Sequence, residues 1–426
     1  MGDAGAVMRS KPGGFGGGPM WPAALALALA VGATEVATAA APVAALVALR
    51  ADPAVGTVAV EPADPVLRTD LGCARDVRAS TLNRLFQSRW GPLIGFDNAH
   101  VMPLGRGRHL WLFTDVFLDY SGVVTDFRQS RYQHNVAVLQ RGKCFTLLHR
   151  NTRAFAYEWE PGDMGRDSHD RFFWPLGGER IGRTLYVFWA EMHNDYPPPA
   201  PEDGITRHPE RTWLATYDVR TLRRQSFVPA PNSGVFPQYG FAVESDRTHT
   251  YLFGNSNLLN FAREGGYMNG PHSATRMYLA RVPRGRLTRR PAYRTATGWS
   301  PDPGDARAFS SRFWAENQMQ PRLMNGVWVS TTKIDGFSGR DVLVEVADEP
   351  WGPWREVRRF RTPTTRNGEP ITMYQPILVP WREPNGRMSI VLSRNAHDWD
   401  YAVSEDNSVY RPEVTTVPWV RGEQAG

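Results

Sequence analysis

One pattern constrains this chain more than any other: a β-hairpin that recurs five times. Its first copy spans residues 95–117. Two apolar, alternating arms flank a turn rich in Gly, Pro and Arg, the signature of two paired strands. Comparable hairpins fall at residues 172–191, 237–255, 316–330 and 374–392. The fourth and fifth share a Gln-Pro-x-Leu start and an Asn-Gly turn, at Asn325 and Asn385. Equivalent starts lie about 55–80 residues apart, an irregular but repeated period that means blades. Two further strand-like runs follow each hairpin: 135–139 and 145–148, 212–217 and 225–228, 277–282 and 292–294, 342–346 and 356–360, and less clearly 409–410 and 414–417. Four strands per unit and five units predict an all-β, five-bladed β-propeller of four-stranded antiparallel blades. Its ring takes residues 90–420. The 15 Trp, 14 Tyr and 20 Phe are mostly material for packing between blades.

Ahead of the ring, residues 1–41 combine Arg9 and Lys11 with an apolar run and a small-x-small site at Ala37-Thr38-Ala39. This reads as an export signal peptide, or as a retained membrane anchor. Residues 42–89 form a linker and N-terminal segment. Cys73 and Cys144 are the two cysteines. In an exported protein they either pair, pinning the N-terminal segment to blade one, or stay as two buried thiols. The net charge of +6 comes from basic residues interleaved with acids, a solvated surface rather than a nucleic-acid interface. Phosphate-loop, dinucleotide-binding, nucleophile-elbow and zinc patterns are all missing from the sequence.

Chemistry therefore belongs in the funnel, where the first strand of each blade lines the axis. Asp97 and Asp115 each stand nine residues from Arg106 in the first turn. Mirror symmetry about that turn would make them cross-strand neighbours on one face. Two close carboxylates tend to hold one proton between them, the arrangement that acid–base chemistry on a sugar needs. The same rule pairs Trp174 with Glu191, Tyr239 with Asn255, Gln320 with Ser330, Gln375 with Arg394 and Tyr374 with Asn395, with Glu316 further out. Acids, amides and aromatics of this kind suit sugar rings and hydroxyls. Each also has a plain structural use: turn capping for the two Asp, packing for Trp174 and Tyr239, strand starts for Gln320 and Gln375, simple exposure for Glu191. His134 enters a strand beside the first hairpin, as a structural residue, a metal ligand or a partner for a carboxylate. Asp167, His169 and Asp170 offer ligand types without a recognised spacing. No metal site and no cofactor is assigned; a structural calcium ion stays open.

Gly95, Asp97, Phe113, Asp115 and Phe117 together resemble the first blade of the five-bladed propeller glycoside hydrolases. Above all they resemble a family of bacterial endo-D-arabinanases formerly classed as domains of unknown function. The run 350–354, Pro-Trp-Gly-Pro-Trp, is similar to a Gly-Pro-Trp turn on the outer strands of such propellers. The resemblance spans about residues 90–420 and implies an exported hydrolase of furanose polysaccharides, here the D-arabinan of actinobacterial cell envelopes. It implies an inverting two-carboxylate mechanism with Asp97 and Asp115 as the pair, the acid and base roles unassigned. His134, Trp174, Glu191, Tyr239, Asn255, Glu316, Gln320, Tyr374 and Gln375 then become the substrate-binding set. The family has Gly before the second Asp; this chain has Thr114. A monomer, associated with the envelope through its N-terminal segment, completes the expectation. The rival reading is a carbohydrate-binding or scaffolding propeller without catalysis, which needs no proton-sharing acids.

Overall fold

The computed structural model describes residues 66–150, 159, 171–193, 208–234, 238–255, 277–309, 321–334, 339–383 and 385–418. Five antiparallel sheets stand as blades around an axis. Blade one holds β1 (Val66–Cys73), β2 (Leu93–Gly105), β3 (Arg108–Leu118), β4 (Arg131–Arg141) and β5 (Cys144–Arg150), with helix α1 (Ala79–Gln87) between β1 and β2. Blade two holds β6 (Arg171–Ile181), β7 (Thr184–His193), β8 (His208–Asp218) and β9 (Arg224–Pro229). Blade three holds β10 (Gln238–Ser245), β11 (His249–Asn255), β12 (Met277–Pro283), β13 (Ala292–Arg294) and the short β14 (Trp299–Ser300). Blade four holds β15 (Arg322–Met324), β16 (Val327–Lys333), β17 (Asp341–Ala347) and β18 (Arg355–Arg361). Blade five holds β19 (Thr365–Arg366), β20 (Glu369–Arg382), β21 (Arg387–Ala396) and β22 (Glu413–Pro418), with helix α2 (Trp399–Ser404) before its last strand. The expected leader at 1–41, the cluster at 167–170, and Glu316 and Gln320 lie outside the described residues.

Apolar residues along the blade strands give each blade buried faces, and five inter-blade cores result. One packs α1 and blade one against Val379, Val391 and Val414 of blade five. The others fill the seams between blades one and two, two and three, three and four, and four and five. The ring is closed from its N-terminal side. Ala79, Leu82 and Phe86 recur at helical spacing on the buried face of α1. Phe86 meets Trp90, Phe96, Trp111 and Phe113. Gln87 Nε2 donates to Pro412 O at 2.7 Å, and Val414 N donates to Asn83 Oδ1 at 2.9 Å. From Val66 onward, then, the segment expected as a linker supplies a blade strand and a closing helix.

β1 adds a fifth strand outside β5, and Cys73 stands directly opposite Cys144 in that ladder. The two form a disulfide with Cα atoms 3.8 Å apart, closer than the usual span of about 4.4–6.8 Å. Residues 409–410, expected as a strand, instead end a short 3-10 turn over Asn407–Val409. Their carbonyls are already taken: Arg394 Nε donates to Val409 O, and Phe96 N donates to Tyr410 O.

The innermost strands do not run straight. β2 breaks register between Asp97 and His100, β6 between Pro175 and Gly178, β10 between Tyr239 and Ala242, and β20 between Tyr374 and Ile377. Each break places extra residues on the inner strand, a bulge that bends it and re-aims its side chains. Asn98, Gly240 and Gln375 carry the positive φ these bends require, at 48°, 110° and 51°.

Candidate active site

Asp97 is the last residue of β2 before its bulge, and it faces Thr114 rather than Asp115. The bulge accounts for the difference. Between turn and bulge the mirror rule holds, with Val101 opposite Trp111 and His100 opposite Leu112; at Asp97, just past the bulge, it is off by one. The other predicted pairs whose two residues are described slip too, by one or two positions. Trp174 faces Ala190 while Glu191 faces Phe173. Tyr239 faces Gly254 while Asn255 faces Gln238. Tyr374 faces Ser393, Asn395 faces Thr372, Arg394 faces Met373, and Gln375 sits within the bulge.

Asp115 itself has a turned backbone. Its φ is 45°, left-handed geometry that costs a non-glycine residue roughly 1–3 kcal/mol and clusters at functional sites. The charge of Asp115 acts on Asp97 directly. Asp97 is 7% exposed. Thr114 Oγ1 donates to its Oδ1, Tyr374 Oη to its Oδ2 at 2.5 Å, and the Tyr410 hydroxyl also reaches the carboxyl. Burial first, then the charge of Asp115, pushes Asp97 up to about 7 against the pull of these three hydroxyls. A hydroxyl can donate or accept, so the same shell holds Asp97 with or without its proton. Asp115 is half-buried. Tyr132 Oη donates to its Oδ1 at 2.5 Å, and Trp174 Nε1 donates to the same oxygen at 3.2 Å. Two donors on one oxygen suit an ionised carboxylate.

Thr114, where the resembled family has Gly, thus binds Asp97. Gly95 of the same motif has its own reason. A Cβ there would run into the Phe127 ring and lie 3.0 Å from Cδ1 of Tyr410. Those rings join Ile94, Phe117 and Val403 in an apolar cluster behind the acids, with Phe117 stacked on Phe127 at 4.1 Å.

The remaining predicted residues divide. Trp174 and Tyr374 reach the pair through the contacts just given, and Gln375 adjoins Tyr374 in the bulge. His134 is buried, stacked on Phe172 at 4.0 Å and edge-on to Tyr132 at 5.0 Å, one ring away from Asp115. Glu191 is buried beneath the Trp213 indole N–H, with Arg171 Nη1 at 3.6 Å. Tyr239 lies wholly inside the seam of blades two and three, against Tyr293 at 5.4 Å. Asn255 ends β11. Thr114, Tyr132 and Tyr410 were missed as site residues. Tyr132 shares the run 132–135 with His134, which was a usable signal; Tyr410 lies far along the chain and gave none. Among the described residues no group of three or more His, Cys, Asp or Glu is placed to hold a metal ion.

Below the acids the axis is closed. Arg322 of β15 crosses it: Nη2 donates to Val101 O of blade one, Nε to Leu378 O of blade five at 3.0 Å, and Nη1 lies 3.9 Å from Glu244 of blade three. The gap left there, lined by Met102, Gly177, Gly178, Ala242 and Arg322 among others, has a volume of about 10 Å³, room for about one water. Arg322 thus bridges blades one, three and five on a level of the axis apart from the acids.

Fold and site together define a five-bladed propeller with a paired-carboxylate centre beside the axis. The chain belongs to the family described as a domain of unknown function, DUF5005, whose model matches residues 80–419. No curated protein sequence matches it. Among solved structures it is similar to a putative hydrolase from Bacteroides ovatus, with a TM-score of 0.60 and 16% identity over 78% of this chain and 87% of that one. It is also similar to a GH43 β-xylosidase/α-arabinofuranosidase from a compost microbial metagenome (TM-score 0.42, 14% identity, 82% and 95% of the chains). A third is an α-L-arabinofuranosidase from Podospora anserina (TM-score 0.39, 10% identity, 83% and 96%). At these identities the likeness is one of fold.

Proposed function

We propose that this protein is an exported glycoside hydrolase that cuts a furanose polysaccharide, the D-arabinan of actinobacterial cell envelopes, through Asp97 and Asp115. The observation that carries the reading is the asymmetry of the acid pair. Asp97 is buried, ringed by hydroxyls and raised to about 7. Asp115 is more open and takes two donors on one oxygen. A shifted acid beside an unlike one is the pattern by which two carboxylates divide acid and base work. A binding scaffold would have no use for a buried proton at this place.

In this mechanism Asp97 holds the proton that passes to the leaving glycosidic oxygen. Asp115 draws a proton from water as it attacks the anomeric carbon. Tyr132 and Trp174 fix the oxygen of Asp115 that does not face the water. An inverting enzyme separates its carboxyls by roughly 6.5–9.5 Å, a retaining one by roughly 5–5.5 Å. Because Asp97 faces Thr114 and not Asp115, the acids are offset rather than directly opposed, which favours the wider, inverting case. Trp174 offers an aromatic face beside the acids, and Gln375 an amide. The Cys73–Cys144 disulfide suits an oxidising compartment and so supports export. The protein acts as a monomer, and the reaction as written calls on no cofactor.

The test is hydrolysis of envelope arabinan and plant arabinan, with product chromatography and NMR of the fresh anomer. Asp97→Asn and Asp115→Asn should each lose roughly 10²–10⁴-fold in rate, the usual worth of a general acid or base. An aryl furanoside with a good leaving group should rescue Asp97→Asn and not Asp115→Asn. Intact activity in either variant removes the pair from the chemistry. A wild type that binds these polymers without cutting them moves the protein to the scaffold reading.

A further inference from the structure

The segment that joins β21 to β22 of blade five passes directly behind the acid pair. Tyr410 Oη donates to the main-chain carbonyl of Asp115 at 3.1 Å and also reaches the Asp97 carboxyl. Among the described contacts it serves both acids, whereas Thr114 and Tyr374 bond Asp97 and Tyr132 bonds Asp115. The carbonyl it holds belongs to the residue in left-handed backbone, so the bond falls on the strained peptide that aims Asp115. The ring itself is clamped. It lies edge-on to Trp399 at 5.1 Å and to Phe117 at 5.8 Å, packs over Gly95, and its main-chain carbonyl accepts from Phe96 N at 3.1 Å. On either side of it, Arg394 ties down Val409 O, and Arg411 Nε donates to Ile94 O at 2.8 Å.

We infer that Tyr410 is the positioning residue of the acid pair, setting both the aim of Asp115 and the proton affinity of Asp97 from the seam that closes the ring. The inference rests on the two-carboxylate reading for its link to catalysis, and for its link to the acids on the bond to the Asp115 carbonyl and the main-chain bond from Phe96, the neighbour of Asp97, to Tyr410. A phenol in this place stays protonated at any working pH. Burial and then the nearby Asp97 raise it well above its ordinary value, so it is a standing donor. Its one proton is shared between the Asp115 carbonyl and the Asp97 carboxyl, and the share that falls on Asp97 holds that acid down; without it, Asp97 should bind its proton more tightly.

The test is Tyr410→Phe, which removes one oxygen and keeps the clamped ring, compared with Tyr374→Phe, which loses a bond to Asp97 only. The protein is labelled with ¹³C at aspartate carboxyl and carbonyl carbons, with Asp97→Asn and Asp115→Asn assigning the signals. Tyr410→Phe should raise the Asp97 titration and move the Asp115 carbonyl signal, whereas Tyr374→Phe should raise the former and leave the latter in place. On a cleaved polymer, Tyr410→Phe should lower kcat by about tenfold or more with KM little changed, and the limb of the pH profile set by Asp97 should move to higher pH. An Asp97 titration and Asp115 signal that stay where they are in folded Tyr410→Phe overturn the inference. If Tyr410→Phe does not fold, Phe127→Leu, which loosens the packing behind the ring and keeps the hydroxyl, must shift the Asp115 carbonyl signal; no shift overturns the inference equally. The labelled signals need no substrate. A wild type inert on every arabinan with both signals moving thus defeats the hydrolase reading and leaves Tyr410 as the holder of the pair.

Discussion

At the scale of single residues, Asp97 couples the site to stability. Its folded-state value near 7 stands above the ordinary 3.8, so between those pH values the folded protein binds the extra proton. Stability therefore falls as pH rises through that window. The contribution is fully present below about pH 4 and gone above about pH 7. Asp97→Asn carries no such proton. Its stability relative to wild type should be higher at pH 8 than at pH 5, by about 2–3 kcal/mol at 1.36 kcal/mol per pKa unit, as read by chemical denaturation at the two pH values. No difference between them would mean that Asp97 titrates alike in the folded and unfolded chain. The two acids themselves were legible in the sequence, since Gly95, Asp97 and Asp115 frame one hairpin. Their shell was legible only in part. Trp174 and Tyr374 were named for sugar contact, and the structure adds that they donate to the acids. Tyr410 reaches them from a different blade, where no local pattern can announce it.

At the scale of elements, the hairpins and most outer strands fell where alternation put them, because apolar period is a local property. The bulges did not. A bulge changes register by one or two residues while leaving the run of side-chain types nearly unchanged, and a rule anchored at the turn carried the error outward to each rim pair whose two residues are described. Glycines marked these places. Gly177 lies in the β6 bulge, and Gly240 in the β10 bulge with φ 110°; an interior strand glycine is a bulge signal. The fit at Gly177 is tight against main chain. A Cβ there would lie 2.7 Å from Ala242 Cα and 2.8 Å from Phe241 O, atoms that cannot rotate away. Gly177→Ala should cost about 1–3 kcal/mol, the range of an overpacked core. Gly182→Ala, at a turn where nothing lies within 4 Å of the added carbon, controls for left-handed strain alone at φ 61°. Thermal unfolding of the two variants decides it: a loss at Gly177 no greater than at Gly182 would mean that blades two and three can move apart.

At the scale of the whole molecule, five apolar seams hold the ring and Arg322 spans its centre. Val101 and Leu378, whose carbonyls it binds, lie four residues along β2 and β20 from Asp97 and Tyr374, or about 13 Å at 3.3 Å per residue. The acids and the arginine thus occupy different levels of one axis, and the two levels should be separable. Arg322→Met keeps bulk across the axis and removes the charge and its donors. Two carbonyls then lose their partners, and Glu244 loses its cation. Removing one member of a buried pair costs about 3–5 kcal/mol. The loss should also depend on pH. Burial, against the pull of Arg322, already pushes Glu244 up to about 8, above its ordinary 4.5, so its contribution is full below about pH 4.5 and is lost as pH rises through 8. Without Arg322 the folded value climbs further, and ionising Glu244 becomes costlier. Denaturation of Arg322→Met should therefore show a larger loss at pH 9 than at pH 6. The double variant with Glu244→Gln should lose nearly the same amount at both, since of the other titrating groups that feel Arg322, His109 is held low first by its own burial and Glu179 is already bonded by Ser245 at 2.6 Å. Equal losses for the single variant at pH 6 and pH 9 would show that Arg322 holds the ring through its carbonyl bonds alone, with Glu244 a bystander.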